Sequence, residues 1–232
     1  TNGGSSATKT SASVSYGSSI DLTPTATKSG WTFVGWNTNK DATSKLTSLD
    51  MGTSNVTLYA IYKKEAITYK ATTKSNVESA TGTGKEVSCT IDAVYNNATQ
   101  GTSCQVTLPD NPYTLTNWTF NGWVNGGSNS TTTTTSGTAS GNKLTISSNV
   151  NIIATWKKSV TVKLTFDKNG GSANTTSNGV TTTLYNGNTS LSATLTFTAP
   201  ACTTYSGWTC VGYNTSSSST TSSFDVGSEK DF

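Results

Sequence analysis

Short runs of alternating apolar and polar residues, bounded by Gly, Asn, Ser and Pro, recur along this chain and predict strands. Val160-Thr161-Val162-Lys163-Leu164-Thr165-Phe166 alternates throughout, and the Asp167-Lys168-Asn169-Gly170-Gly171 that follows is a hairpin signal. Ile67-Thr68-Tyr69-Lys70-Ala71, Gln105-Val106-Thr107-Leu108 and Leu144-Thr145-Ile146 read the same way. One phrase is written three times, about ninety residues apart: Trp31-Thr32-Phe33-Val34-Gly35-Trp36-Asn37, Trp118-Thr119-Phe120-Asn121-Gly122-Trp123-Val124 and Trp208-Thr209-Cys210-Val211-Gly212-Tyr213-Asn214. A closing phrase also recurs: Val56-Thr57-Leu58-Tyr59-Ala60-Ile61-Tyr62-Lys63-Lys64 matches Val150-Asn151-Ile152-Ile153-Ala154-Thr155-Trp156-Lys157-Lys158. A turn phrase, Tyr95-Asn96-Asn97-Ala98-Thr99, has its counterpart in Tyr185-Asn186-Gly187-Asn188-Thr189.

These recurrences divide the chain into three copies, residues 1–64, 65–158 and 159–232. The middle copy is complete and carries an expanded hairpin around Tyr95. The first is expected to lack its opening strand, because Asn2-Gly3-Gly4-Ser5 matches Asn169-Gly170-Gly171-Ser172 with nothing like residues 160–166 before it. The third is expected to lack its closing strand. A piece of a longer array accounts for both, and strands supplied by neighbouring chains are the other reading. Junctions such as Lys63-Lys64-Glu65 and Lys157-Lys158-Ser159 are too short for flexible linkers, so the copies are expected end to end in a semi-rigid rod.

Composition sharpens this picture. Val, Ile, Thr, Tyr and Trp supply most of the apolar and β-branched content, which suits a half-buried pleated surface, so the chain is expected to be mostly β. Every basic residue is Lys, and there is no His. The usual near-neutral general base and the commonest metal ligand are thereby missing, as is the Arg fork that reads phosphates and base edges. The net charge is +3. Six Lys stand against three acids in the first copy, six against five in the second and three against four in the third. No basic stripe results, so nucleic acid is not an expected partner. No apolar stretch is long enough to span a bilayer, so membrane insertion is not expected either.

Taken together, Phe166-Asp167-Lys168-Asn169-Gly170-Gly171, Tyr16-Gly17, Leu22-Thr23-Pro24, Gly30-Trp31-Thr32-Phe33-Val34-Gly35-Trp36 and Val56-Thr57-Leu58-Tyr59-Ala60-Ile61-Tyr62 resemble, in that order, the internalin B-repeat or Listeria–Bacteroides repeat family. Trp in place of Tyr at the head of the central motif, Tyr213 at its end in the third copy, the Cys pairs and the expanded hairpin depart from the basic pattern. The resemblance implies small β-grasp-like domains in tandem on secreted bacterial surface proteins, between a functional head and a wall anchor. It implies no catalytic residues and no cofactor.

In such a secreted setting Cys89 with Cys104, and Cys202 with Cys210, are expected to form disulfides, one pair in each of two copies. Four-thiolate zinc would require C-x-x-C pairs, which are missing. A thioester at Cys104-Gln105 has adjacency alone in its favour. Glu78, Glu86 and Asp92 read as solvated, and Asp41, Asp50 and Asp167 lack calcium-loop spacing. Under strict alternation Trp31, Phe33 and Gly35 face one way and Thr32, Val34 and Trp36 the other. Trp31, Trp118 and Trp208 are therefore expected in the core, leaving Trp36, Trp123 and Tyr213 as the candidates for surface or inter-repeat contact. The functional expectation is a non-enzymatic stalk or spacer on the bacterial cell surface that supports adhesion. The alternatives are direct binding of host glycan or protein by the repeats, and self-association into a filament by strand complementation.

Overall fold

A computed structural model describes residues 2–126, 137–171, 176–186, 196–201, 205–219, 221–223 and 229–231. Its regular structure among these residues is all strand, so the protein is mostly β. No helix of the described residues is long and apolar enough to cross a membrane. The chain divides into two units that interleave in sequence. One comprises Thr1–Thr72, Lys85–Pro109 and Gly141–Asn151, the other Thr73–Gly84, Asp110–Ser140 and Ile152–Phe232.

In the first unit, Thr32–Asn37 pairs antiparallel with Tyr59–Lys64, which pairs in turn with Val94–Tyr95. Residues 67–72 pair with Glu86–Ile91, and Cys104–Thr107 with Lys143–Ile146. A short ribbon joins Ser6–Ala7 to Ala26–Thr27. The core of this layer is Ala26, Trp36, Ala60 and Tyr62, with Trp31, Phe33, Leu22 and Leu58 packed on it. In the second unit, Thr119–Gly126 lies beside the Val150–Phe166 strand, which runs antiparallel to Thr176–Tyr185 from Lys157↔Tyr185 to Phe166↔Thr176. Ile152, Ile153, Ala154, Thr155 and Trp156 are all buried, so this stretch is covered on both faces. Beyond Lys157 the same strand changes to one-in, one-out alternation, as its sequence alternation predicts. Lys157-Lys158-Ser159 thus lies inside one continuous 17-residue strand.

Backbone conformation at two positions sets how each phrase folds. The residue before the leading Trp has positive φ in every copy: Gly30 at 74°, Asn117 at 64° and Gly207 at 77°. Each closes a turn in which the Trp N–H donates three residues back, from Trp31 to Lys28 O (3.1 Å), Trp118 to Leu115 O (3.0 Å) and Trp208 to Tyr205 O (2.8 Å). Asn replaces Gly in the second copy because asparagine tolerates the left-handed region better than other side chains. The second position is the glycine inside the phrase, with φ of 146° at Gly35, 111° at Gly122 and 126° at Gly212. At Gly35 the ladder slips: Phe33 opposes Tyr62, Gly35 opposes Ile61 and Trp36 opposes Ala60. This bulge consumes one extra residue. Because Ala60 and Tyr62 share a face, Phe33 and Trp36 share it too.

A Cβ on Gly122 would overlap the carbonyl carbon of Gly137, against backbone that cannot swing away. One on Gly30 would meet nothing within 4 Å. Gly122→Ala is therefore expected to cost at least about 3 kcal/mol of unfolding free energy from strain plus overpacking. Gly30→Ala should cost roughly 1–2 kcal/mol from the left-handed backbone alone. Urea denaturation followed by tryptophan fluorescence measures both, and equal costs would contradict the bulge geometry.

Candidate functional site

An aromatic triad forms at each of the first two phrases, and at the first the bulge assembles it. The Phe33 ring meets Trp36 edge-on at 5.5 Å and Tyr62 at 6.0 Å. Phe120 meets Trp123 at 5.1 Å and Trp156 at 6.1 Å with the same T-shaped geometry. Edge-to-face pairing of this kind adds about 0.5–1.5 kcal/mol per pair beyond area burial. Trp36 Nε1 donates to Pro24 O at 2.6 Å, and the Tyr62 hydroxyl to Thr27 O at 3.2 Å. Trp156 Nε1 is buried with no hydrogen-bond partner among the described residues.

This placement corrects the strict-alternation reading of the phrase. Trp36 is 7% exposed and Trp123 1%, so neither indole is a surface platform. Two-residue periodicity assigned them outward; at Trp36 the bulge at Gly35 turns the ring inward. Tyr213, at the equivalent position in the third copy, is half-buried and packs edge-on against Phe166 at 4.9 Å, a contact inside its own copy. Burial raises its phenol pKa. The tryptophans expected in the core sit further out. Trp31 is partly buried at the edge of the first cluster, and Trp118 is half-buried. Trp208 is 74% exposed and stacks at 6.1 Å and 23° on Tyr205, itself 51% exposed, with Val211 also exposed.

Around Trp31 the chain gathers its one concentration of cation–aromatic contacts among the described residues. Lys28 Nζ lies 4.4 Å from the Trp31 ring centroid and 5.5 Å from that of Tyr62, and Lys64 Nζ lies 5.1 Å from Trp31. Lys28 also donates to Asn96 O and to Asn97 Oδ1, the latter at 2.7 Å. Desolvation, and then the Lys64 charge, lower the Lys28 pKa. Fixing this ammonium over two rings ties the turn before the first phrase to the turn at Asn96.

Cys89 and Cys104 form a disulfide with Cα atoms 5.9 Å apart, joining the Glu86–Ile91 strand to Cys104–Thr107. In the entropic account a bridge closing this 15-residue separation stabilises by about 3 kcal/mol. Cys210 is disulfide-bonded as well; Cys202, its expected partner, lies outside the described residues, as does the threonine run 131–135. Among the described residues no three His, Cys, Asp or Glu side chains gather as a metal site. The Asp21 carboxylate accepts from the Thr23 hydroxyl at 2.6 Å and the Thr23 amide at 2.9 Å, bonds that lower its pKa and fix the turn before Pro24.

The Tyr205–Trp208 stack went unmarked in the sequence, and the asparagines at 96 and 186 were marked only as parts of a recurring turn phrase. The stack carries no local signal, since Trp208 occupies the same phrase position as half-buried Trp31. The asparagines did carry one, the recurrence of Tyr-Asn.

Residues 1–61 match the family model described as the Listeria-Bacteroides repeat domain. No curated protein and no solved structure matches the chain significantly.

Trp123→Ala is expected to destabilise by about 3–5 kcal/mol, and Trp208→Ala by less than about 0.5 kcal/mol, measured by thermal unfolding under oxidising conditions. Comparable losses would mean that the two positions are equally buried. Replacing Cys89 and Cys104 together by Ser should lower stability by about 2–3 kcal/mol without loss of the β circular-dichroism spectrum. An unchanged midpoint would show that the bridge constrains nothing.

Proposed function

We propose, from the match of residues 1–61 to the Listeria-Bacteroides repeat domain, that the protein is a structural spacer. It consists of small β-grasp-like repeats in tandem, carried on a secreted bacterial surface protein and holding an adhesive region away from the cell. The observation that carries the reading is the continuity of backbone pairing through a copy boundary. The Val150–Phe166 strand crosses Lys157-Lys158 without a break and is laddered to Thr176–Tyr185 along its second half. A strand that crosses a boundary in this way transmits tension directly and leaves no hinge there. The disulfide supports it, since Cys89–Cys104 shields a surface-exposed unit against extension and fits an oxidising compartment. The absence of His and the low charge support a role with no reaction to perform.

Exposure of the stacked Tyr205–Trp208 pair favours a second reading, in which the protein also binds a glycan or protein through these rings. An apolar aromatic face suits the apolar face of a pyranose.

Stretching single molecules held by their two ends tests the first reading. Discrete unfolding peaks are expected. Reduction of Cys89–Cys104 should lengthen the released contour by about 50 Å, the reach of its loop at full extension. Smooth, peakless extension would rule out a force-bearing spacer. For the second reading, saturable binding on a glycan array that is lost in Trp208→Ala is the expected result, and no binding at any spot would remove it.

A further inference from the structure

Asn96 and Asn186 occupy the same place in two successive copies and make the same unusual set of bonds. Asn96 N–H donates to Tyr62 O at 2.8 Å, and its side-chain Oδ1 accepts from Tyr62 N–H at 3.1 Å. Asn186 N–H donates to Trp156 O at 2.9 Å, and its Oδ1 accepts from Trp156 N–H at 2.9 Å. Each asparagine therefore takes both backbone groups of one residue, the aromatic that ends the closing phrase of the copy before. That aromatic is also the third ring of the triad. The tyrosine preceding each asparagine pairs with the lysine after the aromatic, Tyr95 with Lys63 and Tyr185 with Lys157.

Geometry selects the residue type. Both positions have positive φ, 56° at Asn96 and 52° at Asn186, which excludes most side chains. Glycine would adopt the backbone but has no acceptor for the aromatic N–H. Asparagine tolerates the conformation and supplies a carbonyl oxygen and a main-chain donor together. Asn96 is 7% exposed, and its Nδ2 is used as well, donating to Ala42 O at 3.0 Å. The partners are 34 residues apart at the first junction and 30 at the second. The same bonds at different separations show that loop length does not dictate them.

We propose that the Tyr-Asn turn is a latch by which each copy docks on the closing strand of the copy before it. Its partner is a strand carrying an aromatic residue followed by lysine. Recognition is through main chain, so Tyr62 and Trp156 serve equally. The latch makes the closing strand of one copy open together with the first hairpin of the next. This inference rests on reading the chain as an array, but its test is local and independent of any mechanical result.

The test is native-state amide hydrogen exchange by NMR on the whole oxidised chain. Asn96→Gly keeps the backbone conformation and deletes the acceptor. It should speed exchange of the Tyr62 amide about ten- to hundredfold, the range for an unsatisfied buried donor, while Ala71 keeps its protection. Asn117→Gly removes a left-handed asparagine that only closes a turn, and should leave Tyr62 unchanged. Asn186→Gly repeats the experiment at Trp156, should the first variant unfold its unit. Tyr62 protection that survives Asn96→Gly overturns the proposal, as does equal loss in Asn117→Gly. A failure of the stretching experiment with these exchange results intact would remove the spacer reading and leave the latch standing.

Discussion

A glycine bulge in the first phrase decides which face of its strand the large rings occupy. At Gly35 the ladder gives up one residue, and Phe33 and Trp36 come to share the face of Ala60 and Tyr62. At Gly122 the same φ region and the same edge-to-face triad recur with Phe120, Trp123 and Trp156. Small β units bury modest apolar area, so three interlocked rings form a large part of what opposes chain entropy. Ile61 and Ile153 are also buried, on the opposite face of the same closing strands.

From the triad the constraint passes along the backbone. Its third ring belongs to the closing strand, and the main chain of that ring residue is held by an asparagine of the following copy. Lys28 adds a second tie at the first junction, bridging the Trp31 and Tyr62 rings to the turn at Asn96. The ring that fills a core is thus the ring whose backbone receives the neighbour. The Val150–Phe166 strand carries the third ring of the second triad, Trp156, and runs on without interruption to Phe166.

Much of this was legible in the order of residues. Alternation and β-branched content announced strands, and the strand partners of the closing phrases lie at the recurring phrases. Cys89 and Cys104 fall as a close pair in the sequence, which made their pairing readable, and the bridge joins two strands that pair elsewhere. The glycines before Trp31 and Trp208 marked turns, and Asn117 kept the turn by its own tolerance of positive φ. The inward direction of Trp36 and Trp123 was not legible by counting twos, because a bulge resets the count and a glycine in a strand only hints at one. Trp208 shows the converse limit. It holds the phrase position of Trp31, yet its exposure depends on what packs over it, which residues 208–214 do not encode.

The central claim is that the second aromatic of the first two phrases lies inside and the leading tryptophan further out. Exchange of indole Nε1 hydrogens, resolved by NMR for the six tryptophans, tests this directly. Slow exchange is expected at Trp36, Trp123 and Trp156, and exchange close to the free-indole rate at Trp208. Fast exchange at Trp36 and Trp123 with protection at Trp208 would contradict it, since that is the pattern of an unbulged strand.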